Sequence, residues 1–344
     1  MHRILITAAL LIWQLRAVPA MAAPTTHRPE APTCLRVDGT GPGASSQPCV
    51  PKRPTGGTAT GPLSGIFFGD NPQDFIAAQT WLGKPIQIVG AHTGRAQWAD
   101  WSGSIGWTVG QFASIKVPFA WSIPLFANGG TLADAGAGKY DSYYVAAAKL
   151  LAAAYPGQNE IFVRSGEEFN ADWMPWSGIG KEAAFAKAYR DFVNAFRSVS
   201  SRFRFEWNIA NGQMKTNVEA AYPGDAYVDY IGMDFYWDIK WGMTDPVTAF
   251  NYYRDNKYGL QWLETFAAMH GKQTAYSEWG INSANGARYI DLAMQWFQSH
   301  DVAYQIYWDS NSSFKGKLTG GQYGAASDEF RKQFGAAAAT SSTP

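Results

Sequence analysis

The sequence predicts an α/β fold, a (β/α)8 TIM barrel formed by a single domain. Three observations carry that reading. Short apolar runs alternate with longer helical patterns, which is the signature of repeated βα units around a parallel sheet. Eight such runs can be counted between about residues 63 and 335, a span that suits one barrel. Charged residues also arrive just where several runs end, as expected when strand ends build a site.

The eight predicted strands are Gly65–Phe68, Pro85–Gly90, Val117–Ile123, Glu160–Arg164, Phe203–Ile209, Val228–Asp234, Gln273–Glu278 and Val302–Trp308. Helical patterns intervene at Tyr140–Tyr155, Lys181–Ser198, Pro246–His270 and Ala287–His300. The second of these is the clearest, since Phe185, Ala188, Phe192, Ala195 and Phe196 fall on one stripe.

The ends of the chain read differently. Residues 1–22 look like a secretory signal: His2 and Arg3 precede an apolar run from Ile4 to Leu15, and Ala20-Met21-Ala22 forms a small-residue cleavage site. That run, about 12 residues, falls short of the roughly 20 that cross a bilayer. A secreted or periplasmic protein is therefore expected, with no membrane attachment once the signal is removed. Residues 23–62 are rich in Pro, Thr and Gly and read as a linker or loosely ordered arm, and residues 336–344 as a flexible tail. Export permits a disulfide, and the two cysteines, Cys34 and Cys49, are expected to staple the arm. With no clustered Cys/His motif, no structural zinc is expected. The chain carries 28 basic and 28 acidic residues without a basic run, so nucleic acid is a poor partner. A monomer is expected.

The most informative stretch is Ile161–Trp176, IFVRSGEEFNADWMPW. An apolar strand gives way abruptly to Arg164, Glu167, Glu168, Asn170, Asp172, Trp173 and Trp176. Indoles beside carboxylates suggest a sugar, whose CH faces pack on aromatic rings while its hydroxyls take polar partners. Aromatic residues make up 15% of the chain and include 15 Trp, many beside Asp, Asn, Ser or Gly, which favours a wet aromatic cleft for part of them. Hydrolysis of a glycosidic bond needs neither a metal nor an organic cofactor, which leaves a structural calcium as the open alternative, but it does need a second carboxyl group. Glu278, in YSEWG at the end of the seventh run, supplies it, because barrel strands bring their C-terminal ends to one face.

On the residues Glu168-Phe169-Asn170 followed by Asp172-Trp173-Met174-Pro175-Trp176, on Tyr276–Gly280, on AYPGDAYVDYIGMDFYW and on the opening GIFFGDNP, the chain resembles glycoside hydrolase family 26, a barrel family of the retaining clan A. The resemblance implies a retaining β-glycanase, most similar to the endo-β-1,4-mannanases, with Glu168 as acid/base and Glu278 as nucleophile. It chooses Glu168 over Glu167, which strand alternation would turn away from the site. The family's mannanases usually carry His before the acid/base and Gly after the Asn. Here Glu167 and Ala171 stand there, which weakens any transfer of sugar preference. Another β-linked glucan, a xylan or a bacterial exopolysaccharide is the alternative polymer, and a non-catalytic carbohydrate-binding barrel the alternative class.

Other residues are placed by strand end and resemblance together. Tyr236 either holds the nucleophile ionised or is a core aromatic. Arg164 is expected to orient a carboxylate at the substrate site, since an unpaired Arg inside a barrel would be unfavourable. Asn170 either contacts a sugar hydroxyl or caps its loop, and His92 either donates to a hydroxyl or serves its loop. Asn208 and Asp234 join the same rim. Trp98, Trp101, Trp173, Trp176, Trp237 and Trp308 are candidate sugar platforms, with some expected in core or loop packing.

Overall fold

The computed structural model describes residues 61–335 except Gln213. The expected signal segment, the arm as far as residue 60, Cys34, Cys49 and the tail 336–344 lie outside the described residues. In chain order the elements are β1 (Leu63–Phe67), α1 (Pro72–Leu82), β2 (Ile88–His92), α2 (Trp98–Gln111), β3 (Phe119–Ser122), α3 (Leu132–Ala135), α4 (Asp141–Ala154) and β4 (Ile161–Arg164). They continue with α5 (Glu182–Arg197), β5 (Phe203–Ala210), β6 (Tyr230–Trp237), α6 (Pro246–Asp255), α7 (Leu260–Met269), β7 (Gln273–Ile281), α8 (Ala287–Ser299), β8 (Val302–Trp308) and α9 (Ala325–Gln333).

Each of the eight predicted runs contributes a strand, and the strands are parallel and close on themselves. Closure comes from β1 against β8, in register from Leu63 opposite Tyr304 to Phe67 opposite Trp308. A closed sheet has no edge, so every strand is hydrogen-bonded on both sides.

Two apolar cores result. The larger lies between sheet and helices and holds the outward-facing strand residues, among them Trp121, Val163, Trp207, Ile231 and Trp279. The smaller fills the lumen with Phe67, Ile88, Ala120, Phe162, Ala275, Tyr304, Ile306 and Trp308. Strand alternation sorts residues between them. On β4, for example, Phe162 enters the lumen core while Ile161 and Val163 join the outer one.

Local signals explain the helix boundaries. Before α1, the Asn71 side chain accepts the Gln73 N–H at 3.1 Å and Pro72 opens the first turn. Along α5, Phe185, Ala188, Tyr189, Phe192, Val193 and Phe196 are buried at helical spacing, with Glu182 in the first turn and Arg197 in the last to complement the dipole. One expectation is revised: Pro246–His270 is two helices. Asn256 is extended at the end of α6 and Tyr258 takes a left-handed φ of 60°, so the ladder cannot continue through that turn.

Candidate active site

The upper end of the lumen is polar because strands β2 to β8 each place a polar or aromatic side chain there. His92 comes from β2, Ser122 from β3, Arg164 from β4, Asn208 from β5, Asp234 and Tyr236 from β6, Glu278 from β7 and Trp308 from β8. Arg164 ties these strands together. It is almost wholly buried, and its Nη1 meets both carboxylate oxygens of Asp234 at 2.7 and 2.6 Å. Nε and Nη2 donate to Ser122 Oγ at 3.0 and 2.7 Å, and Nη2 also donates to Glu278 Oε1. Burial by itself would lower the Arg164 pKa. The charges of Asp234 and Glu278 outweigh it, so the guanidinium is a fixed cation.

Glu278 therefore sits among donors. Tyr236 Oη gives a hydrogen bond to its Oε2 at 2.6 Å, and His92 Nε2 lies 3.6 Å from Oε1. Burial pushes the Glu278 carboxyl up, yet Arg164, His92 and the Tyr236 hydroxyl together bring it below its ordinary value. Burial and the adjacent Glu278 charge raise Tyr236 far out of range, which keeps it a proton donor. Burial also lowers His92 to about 4, against the pull of Glu278, so the imidazole is neutral near pH 7.

Glu168 reaches the site by a turn rather than by continuing β4. Gly166 and Glu168 both adopt left-handed backbone, with φ of 65° and 53°. A side chain at Gly166 would come within 2.9 Å of the Phe185 ring, so only glycine suits that turn. Glutamate in this region is unusual and is held by its neighbours. Asn208 Oδ1 accepts the Glu168 backbone N–H at 3.3 Å, and Trp173 Nε1 donates to Glu168 Oε2 at 2.5 Å. Burial and the charge of Glu278 push this carboxyl up to about 8, although the Trp173 bond acts in the opposite sense. Two carboxyl groups of one site are thus driven apart by their surroundings.

Glu167 is set apart from Glu168 by this turn and faces the basic groups beneath it, with the charges of Arg164 and Arg95 both felt at its carboxyl. It is buried, lies within electrostatic reach of Arg164 and Glu278, and is raised chiefly by burial. Its Oε2 has no hydrogen-bond partner.

The remaining predicted residues divide. Trp308 joins the site wall, with its ring tilted over Phe67 at 4.2 Å and edge-on to His92 and Tyr236. Trp173 reaches Glu168 directly. Asn208 and Asp234 are buried beneath the rim and engaged with protein groups, Asn208 Nδ2 donating to Asp234 Oδ1 at 2.9 Å. Asn170 resolves as a loop clamp: its amide exchanges two 2.8 Å bonds with the backbone of Ala210, and its carbonyl accepts from Thr216. As platforms, Trp176, Trp237 and Trp101 are corrected. Trp176 is fully buried with its indole N–H on the Glu167 carbonyl. Trp237 follows Tyr236 by one position, so alternation turns it outward, where it stacks on Tyr289 of α8 at 5.1 Å. Trp101 is buried with its N–H on the Pro124 carbonyl. Trp98 is partly buried and stacks on Tyr143 at 4.1 Å.

Sequence reasoning did not single out Ser122, Glu206, Ser277 or Tyr304, all buried in or beneath this network. The signal for the first two was strand parity. Ser122 lies two places beyond inward Ala120, and Glu206 two before inward Asn208. Among the described residues, no group of His, Cys, Asp and Glu could hold a metal ion, and no helix is long and apolar enough to cross a membrane.

Residues 146–257, which carry β4 with its turn, β5 and β6, match the family model of glycosyl hydrolase family 26. The chain resembles family 26. Endoglucanase H of Acetivibrio thermocellus is 30% identical over 169 residues, a match that covers 40% of this chain and 18% of that protein. The chain thus spans well under two thirds of that relative's length. Solved structures with the same barrel include a modular endo-β-1,4-mannanase from Cellulomonas fimi, at 17% identity over 79% of this chain and 70% of that chain with a TM-score of 0.57. A family 26 β-mannanase from Bacteroides ovatus aligns over 80% of this chain and 88% of its own, at 14% identity and a TM-score of 0.58. At such identities the structural likeness establishes the barrel, and the resemblance to family 26 rests on the matched segment.

Proposed function

We propose that the protein is a retaining glycoside hydrolase that cleaves a β-linked polysaccharide by double displacement. The observation that carries this reading is the split carboxyl pair. Glu168 is raised to about 8 and stays protonated near neutral pH, while Glu278 is lowered and ionised. In the first step a Glu278 carboxylate oxygen bonds to the anomeric carbon as the glycosidic C–O bond breaks. The Glu168 proton passes to the leaving oxygen. In the second step Glu168, now a carboxylate, takes a proton from water as the water oxygen displaces Glu278 from the sugar. Trp173 already occupies Glu168 Oε2, which leaves Oε1 to carry the transferable proton. Arg164 and Tyr236 hold the Glu278 rotamer, and Arg164 does so as a positioning group locked to Asp234 rather than as a sugar ligand.

The preferred polymer is a β-1,4-mannan attacked internally, a choice supported by the mannanase barrels this chain resembles. Endoglucanase H, the relative matched in sequence, favours a β-glucan as the second choice. A carbohydrate-binding barrel without catalysis is the weaker reading, because both carboxyl groups and the donors that tune them are in place. The reading extends to an exported monomer acting outside the cytoplasm, with Trp173 and Trp308 beside the sugar.

Release of reducing ends from mannan, β-glucan, xylan and bacterial exopolysaccharide tests the proposal, with NMR of the first-formed product to read anomeric configuration. Hydrolysis with retention is expected, and Glu278→Ala should abolish it while sugar binding survives. No release from any polymer by the folded protein, or full activity in Glu278→Ala, would overturn it.

A further inference from the structure

Below the carboxyl pair lies a third glutamate that touches no reacting atom. Glu206 on β5 is fully buried. Its Oε1 accepts from Asn208 Nδ2 at 2.9 Å, and its Oε2 accepts from Tyr304 Oη at 2.6 Å and from Ser277 Oγ. Strand β6 gives up a side chain to admit this carboxyl, since a Cβ on Gly232 would lie 1.9 Å from Glu206 Oε1.

Two of the three donors lead to the reacting groups. Asn208 also accepts the Glu168 backbone N–H and donates to Asp234, the partner of Arg164. Ser277 precedes Glu278 at an irregularity in β7. Gly232 pairs Ala275 and Asp234 pairs Glu278, so two steps along β6 span three along β7. Tyr276 pairs Gln305 and Trp279 pairs Tyr307, so the same extra residue appears against β8. A bulge of this kind re-aims side chains. Here it lets consecutive residues, Ser277 and Glu278, both reach lumen groups, which regular alternation forbids.

We infer that Glu206 is a positioning residue shared by both reacting carboxyl groups: through Ser277 it holds the bulge that presents Glu278, and through Asn208 it holds the turn that presents Glu168. The inference rests on the double-displacement reading for its consequence in rate, though not for its geometry. The third donor provides an internal contrast. Tyr304 reaches the same carboxylate oxygen as Ser277, but its ring packs downward on Phe162 and Tyr230, at 5.4 and 5.6 Å, away from the reacting groups.

Ser277→Ala and Tyr304→Phe each delete one donor to Glu206 Oε2, so the pair separates positioning from mere stability. In Ser277→Ala, kcat should fall by at least about tenfold with KM changed by less than about twofold, as for displaced catalytic groups. Tyr304→Phe should keep kcat within about twofold of wild type, whatever it loses in Tm. Glu206→Gln, which keeps the volume but sets an amide N–H2 against donors, should reproduce the kcat loss. A readout independent of turnover is carbon-13 NMR titration of labelled glutamate carboxyls. Glu278 is faced by Arg164 from β4, His92 from β2, Asp234 and Tyr236 from β6, and Glu167 and Glu168 beyond β4. If the bulge relaxes, Glu278 retreats from Arg164 and Tyr236, and its titration moves to higher pH in Ser277→Ala but not in Tyr304→Phe. A wild-type protein that hydrolyses no glycan would defeat the function proposed above, and the NMR comparison would still decide this inference. Unchanged kcat or an unchanged Glu278 titration in Ser277→Ala, or an equal effect in Tyr304→Phe, would overturn it.

Discussion

The indole N–H of Trp173 bonds to Oε2 of Glu168 at 2.5 Å and favours the ionised carboxylate, so it works against the burial that raises the same group to about 8. The general acid must be protonated, so kcat/KM should fall as pH rises through about 8. Trp173→Phe removes the donor that lowers this pKa. The falling limb of the pH profile should then move to higher pH. A limb that stays put or moves down would show that Trp173 does not control Glu168.

The rising limb belongs to Glu278, which must be ionised to attack. Because Glu278 is lowered, activity should persist below pH 4.5, its ordinary value. Tyr236→Phe deletes a hydrogen bond that lowers Glu278, so that limb should shift upward, with kcat reduced about tenfold or more through loss of the rotamer. The measurement is kcat/KM against pH on a soluble oligosaccharide, checked in buffers of constant ionic strength.

The glutamate doublet can be separated by leaving group. Protonation by Glu168 matters most when the departing oxygen is a poor leaving group. Glu168→Ala should therefore lose about 10²–10⁴-fold on polysaccharide and far less on an activated aryl glycoside. Glu167→Ala should show no such selectivity. Selective loss in Glu167→Ala alone would reverse the two assignments.

The barrel was legible because its units are local: an apolar run, a loop and a periodic helix recur along the chain, and each of the eight predicted runs holds a strand. The break at Tyr258 escaped notice because a left-handed tyrosine leaves no compositional mark. Strand-end position also brought out Arg164, His92, Tyr236 and Glu278, whose side chains meet in space. Tryptophans were the hardest to read. Trp308 and Trp237 both end strands, yet one faces the lumen and the other the helices, a difference set by parity that composition cannot show. The support beneath the site was hidden for a related reason. Ser277 gains its role from a register shift, which exists only between paired strands.

Arg164 is the centre of the ion-pair network, so its replacement should damage stability as well as rate. Arg164→Met leaves Asp234 without the guanidinium nitrogen that meets both its oxygens and removes the main opposing charge from Glu278. Uncompensated buried charge of this kind costs about 3–5 kcal/mol. Arg164→Lys keeps the charge but cannot reach Asp234, Ser122 and Glu278 together, and should recover only part of that loss. Urea unfolding followed by far-UV circular dichroism measures both. A loss within about 0.5 kcal/mol in Arg164→Met would show that the network is not held by this residue.

Gly232 tests how tightly Glu206 is held. Its missing side chain leaves room for a carboxyl that three donors fix in place, so Glu206 cannot swing aside when that room is filled. Gly232→Ala should therefore destabilise the fold by about 1–3 kcal/mol, as overpacking does. Shortening Glu206 removes the colliding atoms. In a Glu206→Ala background the same glycine change should cost much less, with a coupling of roughly 1 kcal/mol or more in the double-mutant cycle. Equal costs in the two backgrounds would mean that Gly232 is required by the backbone of β6 rather than by the carboxyl it faces.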